Sequence, residues 1–155
     1  MTDVFKTLPS LRDMQQIVEQ VATTLLGLEA VDGSPPAGLG GDDPLWSGQV
    51  HITGSFNGDV ALSCTRGFAL RAAQAMETTG AGDDDDAREA LAELTNIIGG
   101  NLKALLSDGF EPCKLSLPVI APRAVAVDGD TLLESWHRLG PDWLGVRLIA
   151  APATA

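Results

Sequence analysis

The residues best placed to do chemistry lie in one stretch of the 155-residue chain, from Asp86 to Ser107. Wound as a helix at 100° per residue, this stretch sends Glu89, Glu93, Asn96, Gly100 and Lys103 into one arc of about 80°. Leu91, Leu94, Ile98, Leu102 and Leu105 fall into another arc of similar width, the face expected to enter a core. Two carboxylates, one carboxamide and one ammonium therefore share a single exposed ridge. Spacings of three and four residues let one docking event deliver Glu93 and Asn96 together. A plain solvated face also carries charges at such spacing. Two details point to function instead. Glu89 and Glu93 are like charges at i,i+4, which costs a few tenths of a kcal/mol. Gly99 and Gly100 sit in a helix interior, where each glycine costs about 1 kcal/mol relative to alanine. Unfavourable local choices gathered on one surface are the mark of a site, close approach of another backbone being the other reason for the glycines.

The rest of the chain must position that helix. Ser10, with Asp13 three residues on, reads as the cap of a helix over about 11 to 26. Leu11, Met14, Val18, Val21 and Leu25 recur along it at helical spacing, and Gly27 closes it. Residues 32–44 are too rich in glycine and proline for a regular element and form a loop. From Trp46 the period becomes two: Trp46, Gly48, Val50, Ile52, Gly54 and Phe56 alternate with polar residues, as in a half-buried strand. Asn57-Gly58 reads as the hairpin turn, with Val60, Leu62 and Cys64 on the return strand. A second helix is expected over 67–77, followed by a loop at 78–85 whose Asp83 to Asp86 run suits a helix N-terminus. Cys113, Leu115, Leu117 and Val119 alternate as a strand. Further strands are expected at about 123–127, 131–137 and 143–150, with Asp128-Gly129-Asp130 turning between the first two. The tail at 151–155 reads as frayed. The sum is one α/β (α+β) domain over 1–155: an antiparallel-rich sheet with two or three helices on one face.

Composition removes several classes. Ten Lys and Arg against 21 Asp and Glu leave a formal net charge of −11. That is the wrong sign for a nucleic-acid binder or for an anionic membrane surface. No stretch approaches the roughly 20 apolar residues of a membrane span, and the first ten residues carry no signal-peptide pattern, so the chain reads as cytoplasmic. Cys64 and Cys113 form no CxxC pair and read as reduced core thiols, a single structural disulfide between them being the other reading. His51 and His137 have no third ligand at metal spacing, Ser63 and Ser116 lack a nucleophile elbow, and Gly38 to Gly41 lacks the lysine of a phosphate loop.

Glu93-x-x-Asn96, followed by Gly100-Asn101 on the same helix, resembles the signature of the CheC/CheX/FliY phosphatases of bacterial chemotaxis. Glu89 stands where that pattern has Asp or Ser, and Pro118 matches its downstream proline. Gly54 to Val60 is similar to the family's glycine-bearing hairpin, and Leu115 to Val119 also resembles it. With one Glu-x-x-Asn set, absent from the helix at 67–77, the chain is most similar to the single-site, CheX-like members.

The resemblance implies a phosphatase acting on the aspartyl phosphate of a CheY-like receiver domain. Asn96 would place the attacking water, much as a glutamine does in some GTPases, and Glu93 would pair with the receiver's lysine. Glu89, Gly100 and Lys103 would contact the partner. No cofactor of the chain's own is implied, Mg²⁺ coming with the receiver, and a homodimer is implied, joined through sheet edges. The other reading is a receiver-binding adaptor or scaffold of chemotaxis or flagellar signalling on the same fold, which docks without hydrolysis.

Overall fold

The computed structural model describes residues 8–76, 82–107 and 112–152. The first residues, part of the loop expected at 78–85, and the end of the tail lie outside them.

Helix α1 (Leu11–Val21) starts at Ser10, whose hydroxyl accepts from the Asp13 amide while the Asp13 carboxylate accepts from the Ser10 amide. The helix widens into a π-helical turn, Ala22–Leu26, and ends at Gly27 in the left-handed region (φ 63°). Strand β1 (Val31–Asp32) is a short edge piece. Strands β2 (Trp46–Thr53) and β3 (Gly58–Cys64) form a hairpin, and helix α2 (Arg66–Ala75) follows. Helix α3 (Asp84–Leu106) is the longest element; its cap is Asp83, which accepts from the Asp86 amide. Strands β4 (Lys114–Leu115), β5 (Val119–Ala121), β6 (Asp130–Leu139) and β7 (Asp142–Ala150) complete the chain. The strands form one antiparallel sheet in the order β1-β6-β7-β3-β2-β4, with β5 also paired to β2. The expected antiparallel sheet with its layer of helices is therefore present.

One face of each central strand makes the core. Val50 and Ile52 from β2, Val60 and Leu62 from β3, and Val146 and Leu148 from β7 are all fully buried. Against them lie Met14 and Val18 of α1, Phe68 of α2 and most of the inner side of α3. Buried alanines at 69, 72 and 73 in α2 and at 87 and 90 in α3 let these two helices lie close together. Arg66 closes their ends with two N–H donors on one Asp84 carboxylate oxygen.

Four expectations at the strand ends are corrected. Strand β2 stops at Thr53, and the reversal occupies Gly54 to Asn57, so Gly58 is already paired with Ile52 rather than in the turn. Gly54 supplies the bend at φ 127°, and the Asn57 side chain donates to its carbonyl. The strand expected from Cys113 to Val119 is two short pieces, broken at Ser116-Leu117-Pro118, where Leu117 is 85% exposed. Residues 123–127 are not a strand: the chain has left the edge of β2, and the Arg123 carbonyl accepts from Ser47 Oγ instead. With no strand there, Asp128 to Asp130 does not turn a hairpin but leads into β6.

Candidate functional site

Helix α3 is held by two parallel rows of buried residues at i+4 spacing. One is Ala87, Leu91, Thr95 and Gly99; the other is Ala90, Leu94, Ile98, Leu102 and Leu106. A row at i+4 drifts about 40° per step around the helix, following the twist of the sheet beneath. That drift corrects the expected core stripe at its end: Leu106 is buried and Leu105 is swung out to 46% exposure.

The first row meets the sheet unusually closely. A Cβ on Gly48 of β2 would strike Thr95 Oγ1 and press on Ile120, and a Cβ on Gly99 would lie 2.7 Å from Val50 Cγ2. Thr95 Oγ1 donates to the Leu91 carbonyl, so its hydroxyl is satisfied without water. The packing explanation for Gly99 therefore holds. It does not hold for Gly100, where an added Cβ would meet nothing within 4 Å.

Because both rows are locked, the rotation of α3 is fixed and its outer side is defined. Glu89, Glu93 and Asn96 are exposed there, and Gly100 and Lys103 are half-buried. All five predicted residues thus share the ridge. Among the described residues, the side chains of Glu89, Glu93, Asn96 and Lys103 make no hydrogen bond or ion pair, so they are available to a partner. The Pro118 segment is tied to the same helix by Arg88, which donates to the Ile120 carbonyl at 3.1 Å. Sequence reasoning passed over Arg88, since a lone arginine beside the ridge gives no signal until β5 is placed.

Other titratable clusters lie elsewhere. His51 Nδ1 and Gln49 Nε2 both meet Asp59 Oδ1 on the helix-free face of the sheet, at 3.1 and 3.2 Å. A Ser–His–Asp alignment also exists: Ser135 Oγ is 2.9 Å from His137 Nε2, and His137 Nδ1 faces Asp32 Oδ1 at 3.0 Å. Its order is that of a nucleophile, base and orienting acid. However, Ser135 and His137 are buried, and neither lines the clefts beside Arg66, between α1 and α3, or along the outer side of α1. The alignment fastens β1 to β6. Burial pushes the His137 imidazole below its usual pKa, against an upward pull from Asp32. Cys64 and Cys113 are both free and buried. Among the described residues no group of three or more His, Cys, Asp or Glu could hold a metal ion, and no helix is long and apolar enough to cross a membrane.

The fold is shared with solved chemotaxis proteins. CheX from Desulfovibrio desulfuricans superimposes with a TM-score of 0.70 at 19% identity, covering 90% of this chain and 97% of that one. CheX from Vibrio vulnificus gives 0.71 at 15% identity, covering 94% and 99%. CheX from Borrelia burgdorferi, solved in a CheX–CheY–BeF₃–Mg²⁺ complex, gives 0.70 at 18% identity, covering 94% and 100%. No curated protein is similar enough in sequence to match. Residues 46–126, from the start of β2 to beyond β5 and including the whole of α3, match the family described as chemotaxis phosphatase CheX. That span is more than half of the chain, and the protein belongs to the CheX chemotaxis phosphatase family.

Proposed function

We propose that the protein hydrolyses the aspartyl phosphate of a CheY-like receiver domain and that Asn96 and Glu93 carry the reaction. One observation supports this most strongly. The two side chains stand three residues apart on the outer side of a helix whose inner side is locked against the sheet. They can be presented as a rigid pair.

The chemistry suits that pair. An acyl phosphate needs no protein nucleophile if a water is held in line with the phosphorus. A carboxamide accepts from that water and adds no negative charge beside the phosphoryl group. Asn96 takes this role. Glu93 pairs with the receiver's lysine and so fixes the register of docking. Glu89, Gly100 and Lys103 flank the pair and contact the partner, Gly100 leaving room for its backbone. Mg²⁺ comes with the receiver; the Borrelia burgdorferi complex of CheX and CheY contains BeF₃ and Mg²⁺. The rate gain comes from positioning and from preorganised dipoles. The setting is the cytoplasm, where the chain acts as one domain and as a homodimer. Beyond the reach of β1 and of Gly33, whose amide donates to the Trp136 carbonyl, residues 130–135 of β6 have no strand on their outer edge among the described residues. That edge is free to pair with a second copy. Light scattering at micromolar concentration should report the dimer mass, and a monomer would contradict it.

The test of the reaction is phosphate loss from a phosphorylated CheY-type receiver. Wild-type protein accelerates it, and Asn96→Ala lowers the rate at saturation by about 10²-fold. Glu93→Ala weakens it as well. Both side chains are exposed, so neither change should move stability by more than about 0.5 kcal/mol. A receiver that binds yet keeps its natural phosphate lifetime would select the adaptor reading instead.

A further inference from the structure

Beside the ridge, between α1 and α3, runs a groove of about 230 Å³ that the mechanism above does not use. It is smaller than the roughly 300–1,000 Å³ of an ordinary small-molecule pocket and has room for one long side chain. Its walls are apolar: Ile17, Val21 and Leu25 from α1 and its π-helical turn, and Ile97 from α3. Its polar lining is Gln20, Thr24 and Asn101, and none of these described lining residues is charged.

The groove presents three side-chain oxygens, those of Gln20, Thr24 and Asn101, beside the remaining amide N–H groups of Gln20 and Asn101, and the Thr24 oxygen can only accept. Thr24 gives its only hydroxyl proton to the Gln20 carbonyl. Asn101 commits one amide N–H to the Ile97 carbonyl at 3.0 Å, which leaves its Oδ1 and its second N–H to an occupant. An apolar occupant would leave these acceptors covered and unpaired. An acidic one would bring more acceptors to a chain already at −11. A lysine or arginine satisfies both parts, its stem lying on the apolar walls and its head meeting the acceptors.

The groove is continuous with the ridge. Glu93, Ile97 and Asn101 stack at i, i+4 and i+8 on α3, so the row that begins at the proposed lysine partner ends in the groove wall. We infer that the groove between α1 and α3 takes a lysine or arginine side chain of the docked receiver. It thereby sets which receivers bind, while leaving the chemical step to the ridge. This inference rests on the ridge being the docking surface.

The test places opposite charges in turn at Gln20, an exposed groove residue. Receiver domains from the source organism are phosphorylated with acetyl phosphate, and phosphate loss is followed against receiver concentration. Gln20→Glu should lower the half-saturating concentration and Gln20→Lys should raise it, each by about 2- to 5-fold at 0.1 M salt, with the saturated rate unchanged. Asn96→Ala shows the opposite split, a lower saturated rate. Shifts of the same sign in the two Gln20 variants, or no shift in either, overturn the groove and leave the ridge standing. If no receiver loses phosphate faster but one binds in its Mg²⁺–beryllofluoride form, the phosphatase reading fails. The groove is then judged by the same opposite shifts in affinity. A panel in which no receiver binds overturns both.

Discussion

The adjacent glycines of α3 give a controlled experiment, because the same substitution meets opposite surroundings one residue apart. Replacing a helix-interior glycine with alanine gains about 1 kcal/mol of backbone propensity at either position. At position 100 nothing opposes that gain, since the new Cβ has open space around it. Gly100→Ala should therefore stabilise the fold by about 1 kcal/mol, which for a chain of this length raises Tm by roughly 2–4 °C. At position 99 the new Cβ would lie 2.7 Å from Val50 Cγ2, and Val50 is fully buried in the middle of β2. A β-branched neighbour has no outer torsion with which to yield, so either the strand or the helix must move. Overpacking of this kind costs about 1–3 kcal/mol. The net effect of Gly99→Ala then runs from neutral to a loss of about 2 kcal/mol. Propensity cancels between the two variants, so their difference of about 1–3 kcal/mol isolates the contact with Val50.

Urea denaturation with a shared m-value is the assay, supported by thermal melts. Equal stability of the two variants would refute the close approach of α3 to β2 and with it the fixed rotation of the ridge. The same pair separates stability from function. If the open space at Gly100 receives a partner's backbone, Gly100→Ala raises the half-saturating receiver concentration even though the protein is more stable. An unchanged value would show that the glycine has no part in docking.

Two further outcomes follow from buried titratable groups. Burial holds His137 below its ordinary value near 6.5, so the unfolded chain takes up its proton first as the pH drops. Its contribution to stability is complete above that pH and is lost as the pH falls towards the folded value. Urea midpoints at pH 7.5 and 5.5 should show a drop in the wild type and a smaller one in His137→Gln; equal drops would refute the account. The two thiols should also differ. Burial, aided by the nearby Asp142 charge, pushes Cys64 far above its usual value. Burial also raises Cys113, but hydrogen bonds from the Ser55 and Ser107 side chains and the Phe56 and Ser55 backbone outweigh it and hold that thiol low. Iodoacetamide at pH 8 should label Cys113 before Cys64 in the folded protein, as read by peptide mass mapping, and equal rates would contradict this.

What the sequence made legible was local. The Ser10–Asp13 cap, the middle of the α1 stripe (Met14, Val18 and Val21) and the alternation of β2 are set by residues a few positions apart, and they fold as read. At the ends of the stripe Leu11 and Leu25 are exposed, and Leu26, in the π-helical turn, is buried instead. What failed depended on neighbours distant in the chain. The alternation of Cys113, Leu115, Leu117 and Val119 is a good strand pattern, but β2 presents an edge to only part of it, and Pro118 interrupts the ladder. The small apolar alternation at 123–127 has no strand to pair with among the described residues. Asn57-Gly58 looks like a two-residue turn, yet a Cβ on Gly58 would strike the Ile149 carbonyl of β7. Its glycine answers to a third strand some 90 residues on, which no hairpin rule contains.

The site divides along the same line. Its proposed catalytic half lies on one helix, and helical period alone places Glu89, Glu93, Asn96, Gly100 and Lys103 together once one knows which side is buried. Even there the prediction slipped at Leu105, because a straight stripe ignores the drift that the twisted sheet imposes on the buried rows. The groove could not have been read this way. Its two walls come from residues about 80 positions apart, and Thr24 and Leu25 line it from a π-helical turn for which Ala22 to Leu26 gives no sequence signal. The cation proposed for it meets an oxygen that can only accept, because Thr24 spends its hydroxyl proton on its own helix. The residues that would act on the phosphoryl group are thus fixed by periodicity, whereas those that would choose the partner are fixed by how two helices cross. Substitutions along α1 can then change the choice of receiver without touching Glu93 or Asn96.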